Sequence, residues 1–272
     1  METIRQNVRK NMKTALLIST YNWVEALDVI LASVKKQSLM PNEILIADDG
    51  SGEATKRLID EYKKTIPIPI KHIWHEDKGF RKSIILNKTI ASSDSDYIIQ
   101  IDGDCIINKY FVEDHIKNVI PKTYLYGSRV NTREKYLKRI LGKKITSFHL
   151  FSKEIKNNGR TIRINQLARL YSSQDTISHK IRGCNLSFWR NDFIDINGYN
   201  EDFEGWGVED SEMAIRLHNN RVRCKRLKFN GIMYHLYHKT ESRENFEKNR
   251  LLEKLTKDQF LIRCNNGINK YL

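Results

Sequence analysis

The sequence predicts an α/β fold, a mostly parallel central sheet flanked by helices in a single domain, and three observations carry that expectation. Short apolar runs alternate with helix-patterned segments through the first hundred residues. The apolar runs have the length and character of strands buried in a parallel sheet. Hydroxyl and carboxylate residues stand where those runs end, as Ser19-Thr20-Tyr21, Asp48-Asp49 and Asp102-Gly103-Asp104. In such sheets ligands bind beyond the carboxyl ends of the strands, near a switch in strand order.

The elements follow in order. "TALLIS" (14–19) reads as a strand, and "WVEALDVILASVKKQ" (23–37) as a helix with Ala26, Leu27, Ile30, Leu31 and Val34 on one face. "NEILIA" (42–47) is a strand, "EATKRLIDEYKK" (53–64) a helix after a Gly-Ser turn, and "IKHIWH" (70–75) a strand. "FRKSIILNKTIA" (80–91) is a helix and "DYIIQI" (96–101) a strand, within the apolar run "IIQIDGDCII" (98–107). "YLYGSRV" (124–130) reads as one strand. Residues 131–182 are basic, turn-rich and weakly periodic, which suggests a partly mobile excursion. "CNLSFWR" (184–190) resumes strand character, 208–220 is helical, "RCKRLKF" (223–229) is a strand, and the tail from Glu241 to Arg263 is an amphipathic helix. The expected divisions are 14–130, 131–182, 183–240 and 241–272.

At 272 residues, 40% hydrophobic and 29% charged, the chain can bury a sizeable core. No run of 18 apolar residues suggests a transmembrane helix, and "METIRQNVRKNMK" lacks the apolar centre of a signal peptide. Cys105, Cys184, Cys224 and Cys264 are scattered without a CxxC, which fits a reduced, cytosolic chain better than a disulfide framework or zinc site. The net charge is +14, and residues 121–190 hold 16 basic and 3 acidic side chains, 13 of the 14 excess charges. Such a block suits an anionic neighbour, or is a solvated lysine-rich face.

Asp102 and Asp104 stand two apart, so strand alternation would put both on one side, with Gly103 allowing a ligand close. Hard divalent cations take carboxylate oxygens together with substrate phosphates. A DxD is also an ordinary turn, so its context matters: "STYN" (19–22), "ADDGSGEAT" (47–55), "GWGVEDSE" (205–212) and "MYHLYHK" (233–239), whose His235 and His238 are candidate metal ligands.

Taken as an ordered set, these motifs resemble the family-2 nucleotide-sugar glycosyltransferases of GT-A fold, over residues 14 to about 130 and about 182 to 238. Residues 182–217 look like the module shared with β-1,4-galactosyltransferases and bacterial chondroitin-type polymerases. The resemblance implies an inverting, metal-dependent transfer of a hexose or N-acetylhexosamine from a UDP-sugar to a glycan or lipid-linked acceptor, in bacterial surface polysaccharide synthesis. It implies that Ser19, Thr20 and Tyr21 line the nucleoside pocket, that Asp49 accepts from the uracil NH, and that Arg81, Asp102 and Gly103 meet the nucleotide and sugar. Asp104 would ligate Mn²⁺ or Mg²⁺ with His238, or with His235 in reserve. Asp210 would be the catalytic base beside Glu209, with Trp206, Gly205 and Asn185 on the acceptor. Asp210 favours inversion, since related retaining enzymes resemble W-G-x-E-N at this motif. Two departures stand out: Ser19 replaces the family's proline, and 131–182 aligns with nothing.

The expected site of action is the cytoplasm, peripherally on the inner face of the plasma membrane, with the basic stretch 129–190 against an anionic leaflet or an acidic acceptor. A metal-dependent nucleotidyltransferase would usually carry a Gly-rich basic loop after the first strand, and "ISTYNWVEA" has none. A nucleic-acid-binding protein would rest on net charge alone, without a recognisable nucleic-acid motif. A catalytically dead scaffold would not need Asp104, Asp210 and His238 together.

Overall fold

The structure is a computed structural model that describes residues 11–178, 180–239 and 244–272. The polar N-terminal stretch up to residue 10 and the expected helix start at Glu241 lie outside the described residues. A seven-stranded sheet runs in the order β3-β2-β1-β4-β8-β6-β9. Its strands are β1 (Thr14–Thr20), β2 (Glu43–Asp48), β3 (Ile70–Trp74), β4 (Tyr97–Asp102), β6 (Thr123–Tyr126), β8 (Leu186–Trp189) and β9 (Arg223–Arg226). A second sheet, β5-β10-β7, joins β5 (Cys105–Ile107), β10 (Met233–His235) and β7 (Arg129–Asn131).

The first four strands are parallel, as the alternation requires. β8 turns the sheet antiparallel at β4, and β6 is antiparallel to β8 and parallel to β9. Alternate residues of β1 feed opposite layers. Leu16 and Ile18 join Leu27 and Ile30 of the helix Val24–Val34, while Ala15 and Leu17 join Ile85 and Leu86 of the helix Lys82–Ala91. This two-sided burial is why the strands read as unbroken apolar runs. The chain steps outward from β1 to β2 and β3, then returns to β4 on the other side of β1. That reversal opens a crevice at the carboxyl ends of β1 and β4, where Ser19 pairs in register with Asp102.

Two apolar runs divide where the sequence suggested continuity. β4 ends at Asp102, the chain turns through Gly103 and Asp104, and β5 starts the second sheet. Asp104 therefore sits in a turn, and strand alternation does not relate it to Asp102. Gly103 lines the site and also makes a tight chain contact. Its N–H donates to Ser19 O at 2.6 Å, and a Cβ there would meet that oxygen at 2.8 Å. "YLYGSRV" likewise splits into β6 and β7.

The basic segment carries its own anchors. Ile140, Phe148 and Ile155 are buried in the core under β1, and Thr132 bridges to Ile155. Behind the site, the helix Glu209–Asn219 is held by the buried Arg216, which grips Glu212 through Nε and Nη2 at 2.7 Å and donates to Ile196 O and Gly198 O. Thr256, on the helix Phe246–Asp258, adds a hydrogen bond to Glu212 at 3.0 Å. Among the described residues no helix is long and apolar enough to cross a membrane.

Candidate active site

A cavity of about 800 Å³ opens where β1, β2 and β4 end, closed on the far side by β7 and β10. Ser19, Thr20, Tyr21, Asp49, Asp102, Gly103, Asp104, Trp206, His235 and His238 all line it. Residues 19 to 238 thus converge on one volume because parallel strands point their carboxyl ends the same way.

The two aspartates of the DxD face different partners. Asp102 Oδ1 accepts from Lys82 Nζ at 2.7 Å and from Ser19 Oγ at 2.8 Å. Asp104 Oδ2 lies 3.3 Å from His235 Nε2 and 3.2 Å from His238 Nε2. Burial would raise Asp104, but the His238 hydrogen bond and the His235 charge outweigh it and hold the carboxyl down at about 2. Both histidines reach the same oxygen, so the sequence's choice between them dissolves. β10 sets His235 opposite Cys105 in register, and Trp23 packs edge-on to His238 at 6.3 Å.

Asp104, Cys105 and His235 place donor atoms within 4.8 Å of one another, a cluster able to hold a cation. The carboxylate suits Mn²⁺ or Mg²⁺, whereas a soft thiol does not. Burial and neighbouring acidic groups push the Cys105 thiol well up, and it donates to Asp104 Oδ1 at 3.0 Å, so it is protonated.

Glu209 and Asp210 open the helix Glu209–Asn219 behind a strained turn, with Gly205, Gly207 and the β-branched Val208 at φ +68°, +122° and +62°. At Val208 that conformation costs about 1–3 kcal/mol and persists only where the surroundings enforce it. Asp210 Oδ2 accepts from Gly183 N at 2.7 Å, and Oδ1 from Tyr199 OH at 3.3 Å. A Cβ on Gly183 would stand 2.2 Å from the Asp210 carboxylate, so a larger residue there would displace it. Burial raises both carboxyls: Glu209 goes up to about 7, pushed further by Asp210, while Lys82 pulls each back down. Neither residue is part of the cavity wall; Lys82 lines it and couples them electrostatically to Asp102.

On the nucleoside side, Asp49 takes His75 Nε2 at 2.6 Å and Arg81 N at 2.9 Å, and burial raises its carboxyl. Tyr21 stands 53% exposed at the mouth, with its hydroxyl on Asp77 at 2.9 Å.

Three expected contacts move away from the cavity. The Arg81 guanidinium turns to Glu76 O; its backbone N–H, not its charge, serves the site, and the neighbouring Lys82 supplies the cation. Asn185 is 1% exposed, with its amide donating to Ser128 O and Gly231 O at 3.0 and 2.9 Å and its oxygen 3.2 Å from His115 Nε2. It is a structural clamp with nothing left for an acceptor. Gly205 packs against Asn245 instead. Trp206 stays on the wall, stacked on Phe246 at 5.9 Å. Sequence reasoning missed Lys82, Trp23, Gly183 and Tyr199, although Lys82 adjoins a residue it chose.

The family model described as glycosyl transferase family 2 matches residues 15–186, and one described as the N-terminal domain of galactosyltransferase matches 169–239. The chondroitin synthase of Escherichia coli is 24% identical over 220 residues, covering 75% of this chain and 32% of its own length. The chain thus spans about a third of that relative. S. aureus TarS, solved in complex with UDP, superposes with a TM-score of 0.59 at 18% identity, over 92% of this chain and 70% of that one. A Pyrobaculum calidifontis mannosyltransferase, solved with GDP-Man and Mn²⁺, gives 0.57 at 14% identity, over 82% and 56%. The fold is that of the GT-A glycosyltransferases.

Proposed function

The chain belongs to glycosyl transferase family 2, and we propose that it is an inverting, metal-dependent transferase moving a hexose or N-acetylhexosamine from a UDP-sugar to a glycan or lipid-linked acceptor. The observation that carries this reading is the division of labour in and beside one cavity. Asp102 is neutralised by Lys82, Asp104 faces two imidazoles, and a carboxyl pair with raised proton affinity stands beside them. Carboxyls held at different proton affinities are how one site performs both binding and proton transfer.

Asp104, His235 and His238 would hold Mn²⁺ or Mg²⁺, which when bound offsets the charge of a departing diphosphate. Tyr21 and Asp49 would take the base, Asp49 keeping lone pairs beyond those given to His75 and Arg81. Ser19 and Lys82 fix the Asp102 carboxylate, leaving its second oxygen for ribose or sugar hydroxyls. Asp210 is half-buried and oriented by Gly183 and Tyr199, so it can take the acceptor hydroxyl's proton. Glu209, with its carboxyl near 7, stores or shares that proton. We place donor binding on 14–130 and the base on 183–240. We take the work to be surface-polysaccharide synthesis at the cytoplasmic membrane face, in keeping with the chondroitin synthase relative.

The test is a thermal-shift series with UDP, GDP, CDP and dTDP, each with and without Mn²⁺. Stabilisation by UDP that needs Mn²⁺ is expected. Asp210→Asn keeps that shift and loses transfer by at least about 10²-fold. Stabilisation by GDP alone would overturn the donor, and near-normal transfer by Asp210→Asn would overturn the base.

A further inference from the structure

We propose that a second, smaller cavity beside the catalytic one is a subsite for an anionic sugar unit of the acceptor, a role that rests on the glycosyltransferase reading above. This cavity holds about 160 Å³, roughly the share of five liquid waters. Ser128, Arg160, Arg226, Lys228, Phe229 and Asn230 form most of its wall, and among the described residues no carboxylate lines it.

The three cations are held by neutral partners. Arg160 Nη1 donates to Arg129 O at 3.1 Å, Arg226 Nη2 donates to Ser128 Oγ at 3.0 Å, and Lys228 Nζ lies over the Tyr171 ring at 5.1 Å. Neighbouring arginines behave differently: Arg163 and Arg223 pair with Asp114 and Asp175 at 2.6 and 2.7 Å. Asp114 approaches the same loop through Gly231 N at 3.1 Å, but Arg163 already neutralises it.

Two buried polar atoms in this wall lack any partner, and they are of opposite kind. Arg226 Nε is a donor and Asn230 Oδ1 an acceptor, the latter on a residue 8% exposed. An anion without a hydroxyl would satisfy only the donor. A sugar carrying a phosphate or carboxylate satisfies both, with its charge on the guanidinium and a hydroxyl donated to Asn230. The loop that shapes the cavity is held in an uncommon form, with Phe229 at φ +64° and Gly231 at φ +59°.

The place of the cavity gives the ligand its role. Ser128 lines the small cavity and the next residue, Arg129, lines the catalytic one together with Lys156. A glycan leaving the catalytic cavity past Arg129 and Lys156 meets the subsite one strand away.

The experiment titrates glucose 6-phosphate and glucuronic acid into the full chain with UDP and Mn²⁺ present, by calorimetry, with glucose and inorganic phosphate as controls. At least one anionic sugar is expected to bind more tightly than both controls, and which one binds identifies the anion as phosphate or carboxylate. The exposed pair Arg160→Gln/Lys228→Gln should weaken that binding by at least about tenfold, without altering the melting shift given by UDP and Mn²⁺. Asn230→Ala should weaken the sugar but not inorganic phosphate. The proposal is overturned if neither anionic sugar exceeds glucose, if the double variant binds as wild type, or if inorganic phosphate binds as tightly as the sugars. The UDP shift, read in the same preparation, reports separately on the glycosyltransferase reading. Its absence with the anion binding intact would sink that reading and the acceptor role, leaving an anionic-sugar site.

Discussion

Replacing Lys82 by methionine separates the charge of that residue from its bulk. The ammonium lies 2.7 Å from Asp102 Oδ1, its side chain is 15% exposed, and its charge holds down the proton affinity of both Asp210 and Glu209. A unit charge a few ångströms from a carboxylate, at an effective dielectric near 20, is worth on the order of a few kcal/mol. Partial contact with solvent reduces this without changing its sign. The sign is fixed: losing a cation disfavours the carboxylate, so Asp210, already raised by burial, rises further. At neutral pH less of the base is ionised. The acidic limb of kcat/KM, followed by UDP release across about pH 5 to 9, should move to higher pH, with much of the rate recovered at the alkaline end. Lys82→Arg should leave the limb near its wild-type position. A uniform fall in rate with the limb unmoved would refute the reasoning, because Lys82 would then act on donor binding and not on the charge of the base.

Other perturbations test the frame around the site. His115 is fully buried between Ser187 Oγ at 2.7 Å and Asn185 Oδ1 at 3.2 Å, and burial lowers its imidazole to about 3. The unfolded chain takes up that proton first, so stability should fall as pH drops from about 6.5 towards 3, and His115→Gln should remove up to about 5 kcal/mol of that dependence in acid denaturation. Asn185→Ala should cost about 2–4 kcal/mol in urea unfolding by orphaning buried partners, while the KM for acceptor stays put; a KM effect without destabilisation would restore its binding role. Gly103→Ala forces a methyl against Ser19 O and should cost about 1–3 kcal/mol, together with the Mn²⁺-dependent response to UDP. Arg216→Met leaves Glu212 buried without its partner and should cost about 3–5 kcal/mol in thermal or urea unfolding; an unchanged midpoint would show that the pair does not hold the helix.

The strand and helix succession was legible because apolar periodicity is local, and β1 to β4 need only their own residues to declare themselves buried. Placing Ser19, Asp49 and Asp102 in one cavity also followed from sequence, since parallel strands must point their carboxyl ends alike. What sequence could not decide was the phase of side chains at element ends. Arg81 and Lys82 are adjacent cations, and only the way their helix docks against β2 and β3 turns the second to Asp102 and the first to Glu76. His235 and His238 looked like alternatives until the pairing of β10 with β5 brought both to one oxygen of Asp104. The resemblance put Asn185 on the acceptor, yet the meeting of β8 and β6 buries it, and burial obliges its amide to serve the backbone. Element identity is a property of neighbours along the chain, whereas the partner of a charged or amide group is settled by how the elements dock.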